Sequence, residues 1–372
     1  MSPQSPPNRS ENDEPTWLRP LLKGLFAIED VTVGAMGGRA IRVRGRFLID
    51  AAEIHERLAP FFRDKGGTVL LRREKGQDII FFVRGLAEPA PNNRWLPVVL
   101  AVITVLSMLF TQALPYYLPE LSLAGLVDGL RATWWFTPSL LAILAAHEFA
   151  HYFTARHFGV AVTPPYLIPF PLSPFGTMGA LIRMKSVPAN RREMLFIGAA
   201  GPLAGVLVAI PILFVGLSLS TVSPLPTQGG YTMEGNSLLY LAIKFLAFGR
   251  LLPSGGEDVF LHPVAYAGWA GLLVTSFNLV PAAQLDGGHI ASALLGDKSR
   301  YLNWIVIGGL LVLGMQWPGW FLWAGLIFFV SRVEVPPLND VTPLRPAEIA
   351  VAVLLLTLFV LTFTPLPLRS VA

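Results

Sequence analysis

Runs of about 20 consecutive apolar residues begin at Trp95 and recur through the rest of the sequence. A helix of that length crosses the roughly 30 Å hydrocarbon core of a bilayer, and the chain is 53% apolar but only 14% charged. The pattern predicts an α-helical polytopic membrane protein with about six to eight transmembrane helices. The predicted spans are 95–117, 133–156, 193–217, 262–282, a hairpin over 301–333 that is broken at Trp317-Pro318-Gly319, and 346–366.

A region of different character precedes the first span. Residues 1–94 contain 15 of the 28 Lys and Arg residues and 12 of the 24 Asp and Glu residues. Residues 1–16 are rich in Pro, Ser, Asn and acids, and we expect them to form a disordered tail. Residues 17–94 are predicted to be a small soluble α+β domain, because apolar and polar residues alternate in several short runs. Its predicted elements are strands at 39–49, 68–74 and 78–86 and a helix at 50–66.

Composition excludes several classes of site. The sequence contains no cysteine, so disulfides and thiolate metal sites are excluded. The net charge of +4 is modest, and no nucleic-acid partner is expected. The polar N-terminus has no apolar core segment, so neither a signal peptide nor a transit peptide is predicted.

Basic residues predict the orientation in the membrane. The connection 157–192 contains Arg183, Lys185, Arg191 and Arg192 and no acidic residue. Loops of this kind face the cytoplasm. The N-terminal domain lies one span earlier, so it is expected on the cytoplasmic side as well.

Three ionisable residues lie in the stretch AAHEFAHYF, inside the predicted span 133–156. A charged group at the bilayer centre costs at least about 2.5 kcal/mol, so such residues are usually functional. His147 and His151 are four residues apart and project from one helix face, where both can bind a single metal ion. Glu148 is adjacent and can accept a proton from water, as in the HExxH helix of zinc proteases. The alternative is a pair of histidines whose hydrogen bonds are satisfied within a helix bundle.

A catalytic zinc ion usually has three protein ligands and one open position. Among the later spans, Asp286 is the candidate for the third ligand. Pro281 and the pair Gly287-Gly288 break the helix around it, which lets the carboxylate turn towards the metal. An N-cap on the following helix is the alternative role for Asp286, and His289 is interpreted as a neighbour of the site or a structural residue.

The position of the third ligand decides how the apolar segment 237–251 is placed. The histidines lie near the cytoplasmic end of their span, so the span 262–282, which leads to Asp286, must also run inward. Because the span 193–217 already ends outside, 237–251 is not a single crossing. Lys244 and Arg250 favour an interfacial or re-entrant helix on the outer side.

Residues 162–193 are apolar yet contain six prolines, which forbid a spanning helix. The stretch GTMGALIRM, 176–184, is predicted to be a membrane-associated re-entrant strand whose unpaired edge can bind an extended substrate. A cytoplasmic loop on the lipid surface is the alternative.

The small residues of GAAGPLAG, 198–205, allow close helix packing. Asn278 is interpreted either as a hydrogen-bond donor to an oxyanion or as an interhelical contact.

The stretches HEFAH, PFPLSPFGTMGALIRMKSVPANRRE, GAAGPLAG and NLVPAAQLDGGH together resemble the site-2 proteases, which are intramembrane zinc metalloproteases of peptidase family M50. The similarity is greatest to the plant-plastid and prokaryotic branch that lacks a PDZ domain. It covers about residues 130–300, the expected catalytic core of a transmembrane metalloprotease domain at 95–372.

The resemblance implies one Zn²⁺ per chain, held by His147, His151 and Asp286, with Glu148 as the catalytic glutamate. It also implies that Asn278 assists near the scissile carbonyl. The residues implied to contact substrate are Gly176, Thr177, Met178, Gly179 and Ala180.

The expected function is hydrolysis of peptide bonds within or near transmembrane segments of other membrane proteins. The expected partners are those substrates and membrane lipid, and the expected location is a prokaryotic plasma membrane. A membrane metal transporter and a catalytically idle membrane-protein chaperone are the alternatives, and the oligomeric state stays open.

Overall fold

The computed structural model describes residues 14–85, 93–119, 121–227, 229–332 and 336–371. These residues form two compact units. The first unit contains the described residues up to position 85 together with Val187–Arg191 and Pro336–Leu344, and the second contains the remainder. The predicted disordered tail, 1–16, lies outside the described residues except for its last three positions.

The first unit contains α1 Leu18–Leu22, β1 Phe26–Gly34, α2 Ala35–Gly38, β2 Ala40–Phe47, α3 Ala51–Arg63, β3 Gly67–Glu74 and β4 Gln77–Arg84. Its four strands form an antiparallel sheet in the order β1-β2-β4-β3. Helix α3 begins after Asp50, whose side chain accepts a hydrogen bond from the amide of Ala52 at 2.7 Å. Its residues Ile54, Leu58 and Phe62 recur every four positions and pack with the buried face of the sheet. The predicted N-terminal α+β region is therefore confirmed.

Strand β1 is absent from the sequence-based prediction. Its pairing with β2 shifts between Ile28 and Asp30, which is the mark of a bulge. Ile28, Val31 and Val33 all pack against the core of this unit, although Ile28 and Val31 are three residues apart. The bulge interrupts the two-residue alternation by which a strand is recognised in a sequence.

Two segments from outside the predicted domain 17–94 complete the first unit. The amide of Leu71 in β3 donates to the carbonyl of Leu338 at 2.9 Å, and the amide of Asp340 donates to the carbonyl of Leu71 at 3.2 Å. The amide of Asn339 in turn donates to the carbonyl of Ala189 at 2.8 Å. The sheet is therefore extended at the β3 edge by two short stretches of chain.

Side chains hold these two segments in place. Asn339 is buried, and its Oδ1 accepts hydrogen bonds from the amides of Val341 and Thr342 while its Nδ2 donates to Thr342 Oγ1. Arg191 Nε donates to Asp340 Oδ1 at 2.8 Å, and both side chains are largely buried. The first unit is thus built from three separate parts of the sequence.

The second unit is mostly helical. Its helices are α4 Leu96–Tyr117, α5 Leu123–Thr133, α6 Phe136–His157, α7 Arg191–Ser218, α8 Leu238–Phe248, α9 Pro263–Asn278, α10 Asp286–Leu295, α11 Ser299–Gly314, α12 Gly319–Val330 and α13 Pro346–Thr362. Short strands pair as β5 Tyr166–Pro169 with β6 Thr177–Leu181, β7 Thr221–Pro224 with β9 Glu257–Phe260, and β8 Tyr231–Glu234 with β10 Leu368–Val371. A 3₁₀ turn, Gly296–Lys298, joins α10 to α11.

Two of the described helices, α4 and α7, are long and apolar enough to cross a bilayer. Helices α8, α12 and α13 are apolar but shorter. Helix α6 has 22 residues, yet His147, Glu148 and His151 lower its hydropathy. Helices α11 and α12 are separated near Trp317, where the hairpin was predicted to break. The predicted count of six to eight spans is not confirmed by length and composition and stays a prediction.

Lys244 in α8 does not face a membrane interface. Its side chain is fully buried, with Nζ 3.5 Å from Asp258 Oδ1 and 3.8 Å from Glu234 Oε1. Tyr240 donates its hydroxyl to Glu234 Oε1 at 2.9 Å. The use of Lys244 to support an interfacial helix is therefore wrong, because two buried carboxylates bind its ammonium group inside the unit. The placement of 237–251 relative to the membrane stays a prediction.

We expect Lys244→Met to lower the free energy of unfolding by about 3–5 kcal/mol, because it leaves two buried carboxylates without a cation. Arg250→Met is the matched control. Arg250 pairs with Glu257 at an exposed position, and such pairs contribute about 1 kcal/mol or less. Thermal unfolding of both variants in detergent measures the difference, and equal melting temperatures would contradict the prediction.

Candidate metal centre

Helix α6 has one continuously buried face. Leu140, Leu144, His147 and His151 follow one another at three- and four-residue intervals along it. That spacing keeps all of them on the same side of a helix with 3.6 residues per turn. The two histidines therefore extend an apolar stripe into the interior of the second unit, and both are about 95% buried, with exposed fractions of 4% and 5%.

A tight turn between α9 and α10 places Asp286. Asp286 is the first residue of α10, the capping position is Leu285, and no side-chain cap is formed. Asp286 is thus not an N-cap, which was the alternative role for this residue. A side chain at Gly287 would bring its Cβ to 2.0 Å from the carbonyl oxygen of Leu279, so the turn requires glycine there.

The three predicted ligand residues lie together. His147 Nε2 is 3.1 Å from Asp286 Oδ2, and His151 Nε2 is 3.2 Å from Asp286 Oδ1. The two Nε2 atoms are 3.1 Å apart. One ligand atom from each residue lies within 4.8 Å of the others. Two imidazole nitrogens and one carboxylate oxygen are a donor set of catalytic zinc sites, so these residues fit the expected metal ion.

The carboxylate of Glu148 lies beside this group and is 5% exposed. It lies near the backbone of Ile182, the residue that follows β6. Asn278 is the last residue of α9, and its Nδ2 is 3.4 Å from His147 Nε2. The candidate base, the candidate donor and the candidate ligands therefore surround one point.

His289 and Ile197 complete the surroundings of the three ligands. His289 is one turn into α10 and lies against α7 at Gly198. A Cβ added at Gly198 would be 3.1 Å from the Cβ of His289. His151 Nδ1 is 2.6 Å from the carbonyl oxygen of Ile197 in α7. The contact with Ile197 is made by the backbone, so the residue type carries no sequence signal for it.

The segment predicted to contact substrate forms a β-hairpin. Gly176 precedes β6, which contains Thr177, Met178, Gly179 and Ala180. Strand β6 pairs antiparallel with β5, and within the described part of the chain β5 is its one paired strand. One edge of β6 is therefore available for a further strand.

Helix α4 supports the proline-rich loop of this hairpin. Ser107 Oγ donates to the carbonyl of Gly176 at 2.7 Å, and Gln112 Nε2 donates to the carbonyl of Pro174 at 2.8 Å. Gly176 has a positive φ of 72°, and an added Cβ would be 2.5 Å from the Cα of Met108. The loop thus packs against a helix, which satisfies its backbone carbonyls with side chains.

Comparison with known proteins agrees with this geometry. Residues 135–313 match the protein-family model of peptidase family M50. The chain is 32% identical over 228 residues to the probable zinc metalloprotease EGY2, chloroplastic, of Oryza sativa subsp. indica, 30% identical over 227 residues to its Arabidopsis thaliana counterpart, and 33% identical over 235 residues to Arabidopsis EGY1. These matches cover 60–61% of this chain but only 40–42% of each relative.

The matched region contains both halves of the candidate metal centre. The HExxH helix α6 and the Asp286 turn lie within residues 135–313. Together with the apolar helices α4 and α7, the match indicates that the chain is an integral membrane protein. Residues 135–313 of this chain are therefore a peptidase family M50 domain.

Proposed function

We propose that this chain is an intramembrane zinc metalloendopeptidase that hydrolyses peptide bonds within or near transmembrane segments of other membrane proteins. The observation that carries the proposal is the convergence of His147, His151 and Asp286 beside the buried carboxylate of Glu148. The similar plant proteins are named probable zinc metalloproteases, which supports the same chemistry here.

In this proposal His147 and His151 would hold one Zn²⁺ through their Nε2 atoms and Asp286 through a carboxylate oxygen. When bound, zinc would polarise the scissile carbonyl and lower the pKa of a water molecule. The three residues offer that ion a site from which most solvent is excluded, since each is largely buried.

Glu148 would act as the general base and then as the general acid. Its carboxylate accepts the proton of the attacking water and passes it to the leaving amine. The backbone of Ile182 lies beside this carboxylate. Asn278 would donate its Nδ2–H to the oxygen of the scissile carbonyl as negative charge develops there.

Strand β6 would hold the substrate. A peptide bond in a helix is shielded by the helix's own hydrogen bonds, so a substrate helix must unwind locally before it is cut. The unwound backbone then needs new partners in an apolar setting, and the free edge of β6, at residues 176–180, would supply them. Because the backbone of Ile182 lies near Glu148, a substrate segment paired with β6 would lie next to the catalytic carboxylate.

In the proposed orientation, the N-terminal domain lies in the cytoplasm of a prokaryotic cell. The candidate metal centre lies near the cytoplasmic side of the plasma membrane. The basic residues of 157–192 support the orientation. The proposed prokaryotic plasma membrane rests on the resemblance to a branch with plant-plastid and prokaryotic members, and the relatives named above are chloroplastic. Transmembrane proteins are the proposed partners, with membrane lipid around the helices.

The alternatives predict different features. A metal transporter would need further polar ligands along a path through the membrane, whereas the described residues contain one group of this kind. An idle chaperone would have no need of Glu148 or Asp286, and both are present.

Metal removal tests the proposed function directly. The protein is reconstituted in lipid vesicles with a model transmembrane substrate, and cleavage is followed before and after treatment with a chelator. We expect cleavage by the untreated protein, its loss after chelation, and recovery when Zn²⁺ is restored. Undiminished cleavage after complete zinc removal, or no cleavage of any transmembrane substrate by the zinc-loaded protein, would overturn the proposal.

A further inference from the structure

We propose that helix α7, which supplies no ligand side chain, positions the metal-binding histidines, and that Gly201 is the main positioning residue. This inference rests on the proposed metal centre. It assigns a role to the GAAGPLAG stretch, for which close helix packing is otherwise a sufficient explanation.

Gly201 leaves the space that the ring of His151 occupies. A Cβ added at Gly201 would lie 2.0 Å from His151 Nε2, 2.4 Å from its Cδ2 and 2.6 Å from its Cε1. Non-bonded carbon contacts have their optimum at about 3.5–4.0 Å. Any side chain at position 201 must therefore displace the ring, and the closest atom is the Nε2 that faces Asp286.

The same helix face also fixes the rotation of that ring. Ile197 precedes Gly201 by four residues, so its carbonyl lies one turn earlier on α7. His151 Nδ1 is 2.6 Å from this carbonyl oxygen, which can only accept a hydrogen bond, so Nδ1 must carry the proton. In the neutral imidazole the other nitrogen, Nε2, then has no proton and can bind a metal ion.

Two more glycines of α7 lie against the other ligands. An added Cβ at Gly205 would be 3.1 Å from His147 Nδ1, and one at Gly198 would be 3.3 Å from the carbonyl oxygen of Asp286. The intervals of three and four residues put Gly198, Gly201 and Gly205 on one face of the helix. That face contacts all three ligand residues.

Another glycine of α7, Gly216, packs against the backbone of a neighbouring helix and not against a candidate ligand. At Gly216 an added Cβ would be 2.1 Å from the backbone nitrogen of Ala265, at the start of α9. This contact is as tight as the one at Gly201, but its partner is backbone rather than a ligand ring. Gly216 and Gly201 therefore form a matched pair that separates packing from positioning.

The test compares Gly201→Ala with Gly216→Ala and with Gly308→Ala in α11, where an added Cβ meets no atom within 4 Å. Zinc affinity is measured by chelator competition, and the Co²⁺-loaded protein is examined by its visible absorption spectrum. Alanine has the higher helix propensity, so losses must come from the contact. We expect Gly201→Ala to lower zinc affinity about 10–100-fold and to alter the cobalt spectrum. Gly308→Ala should change neither, and Gly216→Ala should lower thermal stability with an unaltered spectrum.

A double variant tests whether Gly201 acts through His151. In a His151→Ala protein the ring is gone, so adding Gly201→Ala should cause no further loss of zinc affinity or of melting temperature. If Gly201→Ala alone does not fold, restoration of folding by His151→Ala supports the same conclusion. Failure to fold in both backgrounds, an equal loss in both, or an unchanged affinity and spectrum in Gly201→Ala would overturn the inference. These readouts need no cleavage assay, so a protein that binds zinc as expected but cuts nothing would overturn only the proposed function.

Discussion

We expect Glu148→Gln to abolish cleavage of a membrane-embedded substrate and to leave zinc bound. The amide keeps the size of the side chain but cannot accept the proton of the attacking water. A positioned general base contributes about 10²–10⁴-fold to the rate, so we expect a loss of at least that size. The measurement pairs the cleavage rate in vesicles with zinc content determined by metal analysis.

Two features make this variant informative. Glu148 is not one of the three residues whose ligand atoms converge, so zinc content serves as an internal control. Glu257→Gln is the matched variant, since Glu257 pairs with Arg250 at an exposed position and is not one of the residues of the candidate metal centre. Cleavage by Glu148→Gln at the rate of Glu257→Gln would rule out Glu148 as the base.

Asp286→Ala is the second variant with a large expected effect. It removes the carboxylate that lies within 3.2 Å of both histidine Nε2 atoms. Removing a residue that merely orients a ligand costs about 10–100-fold in metal affinity, and we expect a direct ligand to cost more. Chelator competition measures the zinc affinity, and cleavage should fall in parallel.

Asp297→Ala is the control for Asp286→Ala. Asp297 is an exposed aspartate in the 3₁₀ turn that follows α10, so its removal should leave zinc affinity unchanged. Asp286→Asn adds a second comparison, because it keeps the shape of the side chain and removes its charge. Zinc affinity of Asp286→Ala equal to that of Asp297→Ala would exclude Asp286 as a ligand.

The grouping of the candidate site could be predicted from the sequence because side-chain chemistry restricts it so strongly. His147 and His151 have helical ligand spacing, and Asp286 stands out as a carboxylate in an apolar stretch between helix breakers. The structure brings these three together. Whether they bind zinc and whether Asn278 and strand β6 act in catalysis stay proposals.

Other features could not be predicted, for identifiable reasons. Strand β1 has a bulge that interrupts its alternation. The hydrogen bond to His151 comes from a backbone carbonyl, which any residue at position 197 would provide. Lys244 appeared suited to an interface because its two acidic partners, Glu234 and Asp258, are 10 and 14 residues away in the sequence and belong to different strands.

The predicted ends of the membrane spans were inaccurate where an apolar turn follows an apolar helix. The predicted span 262–282 corresponds to α9, which ends at Asn278. Leu279, Val280 and Ala282 are buried and apolar but belong to the turn that leads to Asp286. Hydropathy reports burial in both cases, so it cannot separate the end of the helix from the turn.

The three-part construction of the first unit has a consequence for the order of synthesis. On a ribosome, β3 emerges long before Leu338 and Asp340, which pair with Leu71. The β3 edge of the sheet therefore lacks these partners until residue 340 has been made. An open sheet edge can recruit other chains, so in a nascent chain that stalls before this point Leu71 lacks the backbone partners that Leu338 and Asp340 supply.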